Sequence, residues 1–352
     1  MTLRFEHQAS AQRVLFGAGT AASNLAAEVE RRGTSAPILV AGDRYLALIE
    51  AAGLGGAVRY GNAVEHVPIA VAEQARALAE DSRADLVVAI GGGSATGLAK
   101  AIALTTGLVI VAVPTTLAGS EATNVWGLTE DGHKRTGVDP VVVPATVIYD
   151  PDLLASLPSE LAVASGLNAI AHCIDAMWAP RTDPIDQALA MEALSALRIG
   201  LPGMLAGEAD ASATTLYGCY LAGVAFSCAG SALHHKICHV LGGAFNLPHA
   251  PTHAIVLPHV LAFNAPYALQ ATQRIAAALG SDDAVAGLER LRQRLGAPRA
   301  LRDLGLGEAD LAAAVTSILP AVPPSNPRVV TPDSLAGLLH RAWSGDDPRM
   351  DD

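Results

Sequence analysis

Up to about residue 150, short unbroken apolar runs alternate with segments whose apolar residues recur every three or four positions. APILVAG precedes RYLALIEAAG, VPIAVAEQARALAEDSR precedes ADLVVAIGGG, and ATGLAKAIALTTG precedes LVIVAVP. A continuous apolar run is what a strand buried on both faces requires, and helices between such strands cover a parallel sheet. The pattern predicts an α/β domain over 1–154. After VVVPATVIYDPDLLASLPSEL the alternation stops and Ala/Leu-rich segments take over, among them LAVASGLNAIAHCIDAMWA and DQALAMEALSALRIGLPGML. Helical spacing over such lengths predicts a second, all-α domain over 155–352.

Composition fits two packed cores: of 352 residues, 51% are hydrophobic and 16% charged. Disorder is expected only in the tail GDDPRMDD. The 34 acidic residues outnumber the 23 basic ones, and no basic run occurs, which argues against nucleic acid or an anionic membrane as partner. The uncharged run 101–118 is long enough to raise a membrane span. Its centre, GLVIVAVP, is β-branched and bounded by Thr, Gly and Pro, so a buried strand and loop are predicted instead. The N-terminus shows no apolar core of signal-peptide length. Cys173, Cys219, Cys228 and Cys238 lie in apolar surroundings without a CxxC pair, and are expected to be buried free thiols in a reducing cytoplasm.

Against this background two stretches carry chemistry. VVAIGGGSATGLAK runs from an apolar strand through Gly91, Gly92, Gly93 and Ser94 into a helix that includes Lys100. Glycines let backbone approach a phosphate, and the helix N-terminus offers free N–H groups. The spacing is neither GxGxxG nor a P-loop, and a plain tight βα turn has the same glycines. After the next strand, VPTTLAGSEAT clusters Thr115, Thr116, Ser120 and Thr123 where ligands bind in open α/β sheets. Asp43 follows an earlier strand, suited either to ribose hydroxyls or to a helix N-cap. An acid there favours NADH; the adjacent Arg44 keeps NADPH as the alternative.

The second stretch, ALHHKICHVLGGAFNLPHAPTHAIVLPHV, holds six of the eleven histidines. His235 and His239 are four apart, as are Asn168 and His172 earlier, so each pair shares a helix face. His249 follows NLP, in a predicted turn. Clustered imidazoles suit a metal, but the carboxylate is absent: Asn168 is neutral and Lys236 adds positive charge. His235, His239 and His249 are therefore read as a site, with packing as the weaker reading; His234, His253 and His259 stay open between the two.

Read together, these motifs resemble the iron-containing alcohol dehydrogenase family, from VLFGAG at 14–19 through GGGSATGLAK, PTTLAGSEAT, GLNAIAH and HKICHVLGGAFNLPH to NPR at 326–328. The resemblance implies an α/β dinucleotide-binding domain with a parallel sheet plus an all-α domain, the plan shared with dehydroquinate synthase. It implies that GGGS and PTT hold the pyrophosphate and nicotinamide, with Asp43, Lys100 and Ser120 also expected to touch the cofactor, and that Asn168, His172, His235 and His249 match an Asp and three His that hold a metal. His239 matches a histidine beside the substrate. Two departures, Gly97 and Asn168 where the family pattern has acids, together with HHKICH and RTGVDPVVVPATVIYDP, resemble the family's maleylacetate reductase branch.

That branch implies reduction of 2-maleylacetate, and of chloro-substituted forms, to 3-oxoadipate in aromatic-compound degradation. The implied site is a cleft between the domains, in a dimer, with no metal expected. Catalysis is then expected from His172, His235, His239, His249 and Lys236, whose charges would replace the ion, with Lys236 and Asn168 binding the small dicarboxylate. His133, Lys134 and Arg135 are further carboxylate partners, though HKRTG reads better as a solvated turn. The alternatives are a metal-dependent alcohol dehydrogenase, a lyase on the same plan, and a nucleotide-binding protein without turnover.

Overall fold

The computed structural model describes residues 4–130 and 133–349. They divide into two compact units, one within residues 10–157 and the other of residues 158–349 with 4–9. The boundary falls three residues after the expected one because Asp150 accepts hydrogen bonds from the N–H groups of Gly19 and Ala21, tying that segment to the sheet. Residues 4–9 leave the α/β unit because His7 Nδ1 pairs with Asp183 Oδ2 at 2.8 Å.

The α/β unit has strands β1 (Arg13–Phe16), β2 (Pro37–Ala41), β3 (Val58–Tyr60), β4 (Leu86–Gly91), β5 (Ile110–Pro114), β6 (Val125–Glu130), β7 (His133–Val138) and β8 (Thr146–Tyr149). Six form one sheet in the order β1-β8-β5-β4-β2-β3, every pair parallel. Helices α1 (Ala21–Arg32), α2 (Leu46–Ala51), α3 (Ile69–Asp81) and α4 (Gly93–Thr106) cover it. Along β4 the side chains alternate between two cores: Val87 and Ala89 join Ala72, Leu98 and Ile102, whereas Leu86, Val88 and Ile90 join Leu25 and Ile49. Because both faces are buried, the strand has no polar face, which is why it reads as one apolar run.

The remaining two strands pair as an antiparallel hairpin. HKRTG is thus part of strand β7 rather than a turn, with Arg135 opposite Leu128. Arg135 is exposed and lies 3.5 Å from Glu130. The run 101–118 is the end of α4, then β5 and its following loop, not a single helix.

The second unit contains α5 (Ser159–Ala176), α6 (Pro184–Leu205), α7 (Ala211–Ala229), α8 (Leu233–Ala244), α9 (His249–Asn264), α10 (Leu269–Ala278), α11 (Ala284–Arg294), α12 (Leu311–Ile318) and α13 (Pro332–Ser344). Helix α5 is buried on all sides from Ala162 to Ala176 and packs against α6, α7 and α9. A further core joins α8, α9, α12 and α13. Helix α6 is long and apolar enough to cross a membrane, but half of its apolar window is buried against the rest of the protein. Of the tail expected to be disordered, Met350–Asp352 lie outside the described residues, whereas Arg349 pairs with Asp283 at 3.3 Å. All four cysteines are free thiols, and Cys228 is only half-buried where full burial was expected.

Candidate active site

In the α/β unit, adjacent strands β2, β4 and β5 end at one level: Ala41 pairs with Ile90, and Gly91 with Pro114. Their following loops therefore bring Asp43, Gly91–Ser94 and Thr115–Ser120 to one edge of the sheet, the carboxyl edge where open α/β sheets bind ligands. Gly91 has φ +151°, and its carbonyl accepts the Thr115 N–H at 3.0 Å. A Cβ at Gly92 would stand 2.6 Å from Thr116 Cγ2, so a larger residue there would have to displace the Thr116 side chain. Helix α4 starts at Gly93, and its first-turn N–H groups face the same edge with the positive end of the helix dipole.

Tyr45, which the sequence reading passed over, closes the arrangement. Its hydroxyl lies 2.7 Å from Thr115 Oγ1, linking the turn after β2 to the loop after β5. Asp43 caps no helix; Gly42 precedes that turn, and Asp43 Oδ1 instead meets Arg59 at 2.7 Å.

Lys100 is placed differently from the expectation that it touches the cofactor. Its buried ammonium donates inward to the carbonyls of Ser120, Thr123 and Val125 and to Thr123 Oγ1, at 2.7–2.9 Å. Burial pushes its pKa down to about 7, with Glu121 acting the other way. Glu121 is itself buried, which raises its pKa, and accepts the Tyr149 hydroxyl at 2.6 Å. Lys100 thereby pins the hydroxyl-bearing loop to the helix that starts at the glycines. Ser120 Oγ is buried in that loop without a hydrogen-bond partner.

In the helical unit, Asn168, His172 and Asp175 lie along α5, and His235, Lys236 and His239 along α8. His249 is the first residue of α9 rather than part of a turn. The His172 ring stacks on His235 at 4.9 Å and on Phe226 at 4.5 Å. His239 is 6.0 Å from His235 and 6.4 Å from His249, again between ring centroids. Lys236 and His239, three apart, share the half-buried face of α8, while His235 and Cys238 are buried.

The cluster does contain a carboxylate, contrary to the sequence reading. Asp175 Oδ2 accepts His235 Nδ1–H at 2.7 Å and the backbone N–H groups of Ala232 and His235. Burial pushes Asp175 up to about 7, against the pull of those N–H groups. With Nδ1 bound to Asp175, His235 presents Nε2, which is buried without a hydrogen-bond partner. Burial also holds His235 well below the usual imidazole range and His172 at about 3. Both rings are therefore neutral near pH 7, so they supply no positive charge to replace an ion, and that part falls to Lys236.

Behind this layer, His234 Nε2 and His253 Nδ1 share a hydrogen bond at 2.9 Å, with Cys238 Sγ 3.7 Å from the same His234 nitrogen. His253 backs His249 at 4.4 Å and His235 at 4.9 Å. His259 lies on α9 near Arg292 and Arg341.

Among the described residues, His172, His235 and His249 are not one of the groups that bring three donor atoms within 4.8 Å of one another, so packing alone does not assemble the donor set that the sequence motifs match. Asn168 Oδ1, His172 Nδ1 and His235 Nε2 are buried without hydrogen-bond partners, and Asp175 orients His235 as a carboxylate behind a metal-bound imidazole does. The expectation that no metal is held loses part of its ground, since it rested on a missing carboxylate.

Residues 11–151 match the family described as iron-containing alcohol dehydrogenase, and residues 162–343 its C-terminal part. Maleylacetate reductase of Sphingobium indicum is 44% identical over 97% of this chain and 98% of its own. Maleylacetate reductase 2 of Cupriavidus pinatubonensis is 46% identical over 96% of each. Among solved structures, an iron-containing alcohol dehydrogenase from Corynebacterium glutamicum superposes with TM-score 0.95 at 52% identity, covering 99% of both chains. Maleylacetate reductase from Agrobacterium tumefaciens superposes at 0.91 with 38% identity, covering 99% of this chain and all of its own.

Proposed function

The chain belongs to the iron-containing alcohol dehydrogenase family, and we propose that it reduces 2-maleylacetate to 3-oxoadipate with NADH, NADPH being the weaker donor. The observation that carries this reading is the near full-length likeness to maleylacetate reductases. The pyrophosphate is read at Gly91–Ser94 and the α4 N-terminus, and the nicotinamide half at Thr115, Thr116 and the Ser120 loop. Asp43, two residues past the end of β2 and paired with Arg59, is read at the ribose hydroxyls, where its charge disfavours an added phosphate.

Hydride leaves NADH for one alkene carbon, and the conjugated ketone becomes an enolate. A proton then goes to the neighbouring carbon, so one hydride and one proton are added and NAD+ is released. The enolate charge is stabilised by groups aimed at it before the reaction. Lys236 offers its ammonium and Asn168 its side-chain N–H as donors, whereas His235 Nε2, with the ring proton held on Nδ1 by Asp175, can only accept and does not hold the enolate. His239, beside Lys236 on the half-buried face of α8, is assigned the proton donation. Substrate carboxylates are read at Lys236 and the N-terminus of α9, where His249 stands.

A divalent cation held by Asn168, His172, His235 and His249 would polarise the ketone. Because Asn168 brings no charge, we read such an ion as weakly held and dispensable. We also read the enzyme as a cytoplasmic dimer, to be checked by sedimentation.

The test is a side-by-side assay. Net NADH consumption with 3-oxoadipate as product supports the proposal. Turnover confined to alcohol and aldehyde pairs would replace it with a metal-dependent alcohol dehydrogenase, the reading favoured by the Corynebacterium glutamicum structure.

A further inference from the structure

Outside the histidine cluster, a second set of metal-ligating side chains meets where the N-terminal segment crosses the start of α6 and the end of α7. His7, Asp186 and Cys228 each place a donor atom within 4.8 Å of the others. His7 Nδ1 lies 2.8 Å from Asp183 Oδ2 and 3.6 Å from Asp186 Oδ1.

Asp186 is the telling residue. It is only 1% exposed, and Oδ1, the oxygen turned toward His7, has no hydrogen-bond partner. A buried carboxylate oxygen left in this state is costly unless a cation or donor meets it. Asp183 is placed otherwise: as the N-cap of α6 its Oδ1 accepts the N–H groups of Ile185 and Asp186, leaving Oδ2 for His7. The charge here is negative on balance. Burial, then the Asp183 charge, pushes Asp186 up to about 6, and burial with both carboxylates pushes the Cys228 thiol up to about 11. Arg181 is the one permanent cation acting on both, and its guanidinium is anchored on the carbonyls of Cys228 and Ser227 rather than on a carboxylate.

The neighbouring alternative at His234, Cys238 and His253 is sealed from solvent, and its two imidazoles already bond each other. His7 and Cys228 are only partly buried, so an ion can enter.

We propose that His7, Asp186 and Cys228, with a water in the fourth position, form a structural site for a borderline-soft divalent cation of the Zn2+ class. One imidazole nitrogen, one thiolate and one carboxylate oxygen make a three-donor set that suits zinc at about 2.0–2.3 Å. Occupancy joins residues 4–9 to α6 and α7. Binding releases the Cys228 thiol proton to solvent, while the His7 ring keeps its single proton on the nitrogen that does not ligate, and no electrons move. This site stands apart from the residues assigned to maleylacetate reduction and does not depend on that reading.

The experiment is a titration of chelator-treated, full-length protein with Co2+, followed by absorption and by elemental analysis after Zn2+ replaces it. The expected result is a thiolate-to-cobalt charge-transfer band with one equivalent of ion, lost in both Cys228→Ser and His7→Gln. Both variants should keep NADH-dependent turnover, which shows that they fold. No thiolate band in the unmodified protein would overturn the proposal, as would a band that survives Cys228→Ser, since its sulfur would then be another cysteine.

Discussion

On the proposed reading, Asn168 decides how firmly a divalent ion is held. It sits four residues before His172 on α5, 3% exposed, with an unpartnered Oδ1 where the family pattern has an acid. Replacing the amide by a carboxylate adds charge without changing shape, so Asn168→Asp should retain a divalent ion through dialysis that removes it from the unmodified protein. Elemental analysis reads this directly, and equal metal content in the two would remove Asn168 from the donor set. Lys236 makes a separate prediction. If it grips a substrate carboxylate, Lys236→Met loses a charge-assisted hydrogen bond, about 1.5–3 kcal/mol, and KM rises roughly ten- to hundredfold with kcat little changed. Equal losses in kcat and kcat/KM would move Lys236 to the transition state. Asp175 shows why residue-scale reading fell short: it lies three positions after His172 in a segment that was quoted, but its partner His235 is 60 residues away. Nothing local marks such a pairing, because a buried aspartate in an apolar helix shows its donors only when the helices are packed.

Single elements were legible where burial on both faces or glycine geometry wrote itself into composition. Strand β4 and the turn at Gly91–Ser94 are of that kind, since an uninterrupted apolar run and a position where a Cβ would have to displace the Thr116 side chain leave few alternatives. Strand β7 was missed because its polar HKRTG comes from an exposed hairpin, which has the composition of a turn. Lys100 was placed on the right helix and given the wrong contact. A lysine six residues after Ser94 is compatible with a phosphate, but its ammonium turns into the loop at Ser120–Val125. Acting through that loop, it is a positioning residue. Lys100→Met should weaken NADH binding roughly ten- to hundredfold, the equivalent of about 1.5–3 kcal/mol, in a fluorescence titration. Lys100→Arg should recover part of it if charge and donors matter, and unchanged affinity in Lys100→Met would leave the lysine no part in shaping the nucleotide site.

For the whole molecule, the alternation of strands and helices followed by helices alone was enough to give two units. Residues 4–9 were assigned to the wrong one, because the contact that moves them, His7 with Asp183, spans 176 positions. Stability against pH is also set at this scale. Burial, with Arg292 and Arg341 adding, pushes His259 from its ordinary value of 6.5 down to about 3. The unfolded chain then binds a proton near pH 6.5 that the folded protein refuses until about pH 3, so stability rises with pH across that window and is lost as pH falls through it. His259→Leu removes one such proton, and the slope of unfolding free energy between about pH 5 and 6 should fall by about 1.4 kcal/mol per pH unit. An unchanged slope in denaturant unfolding would mean that the imidazole is already charged in the fold.

On the proposed function, Lys236 and the groups around it carry the reduction without a bound metal ion. This is tested most directly by NADH oxidation with freshly generated maleylacetate, on chelator-stripped protein whose metal content is checked by elemental analysis. The expected result is turnover undiminished by stripping. Turnover that disappears on stripping and returns only with iron or zinc would contradict it and make Asn168 a working ligand.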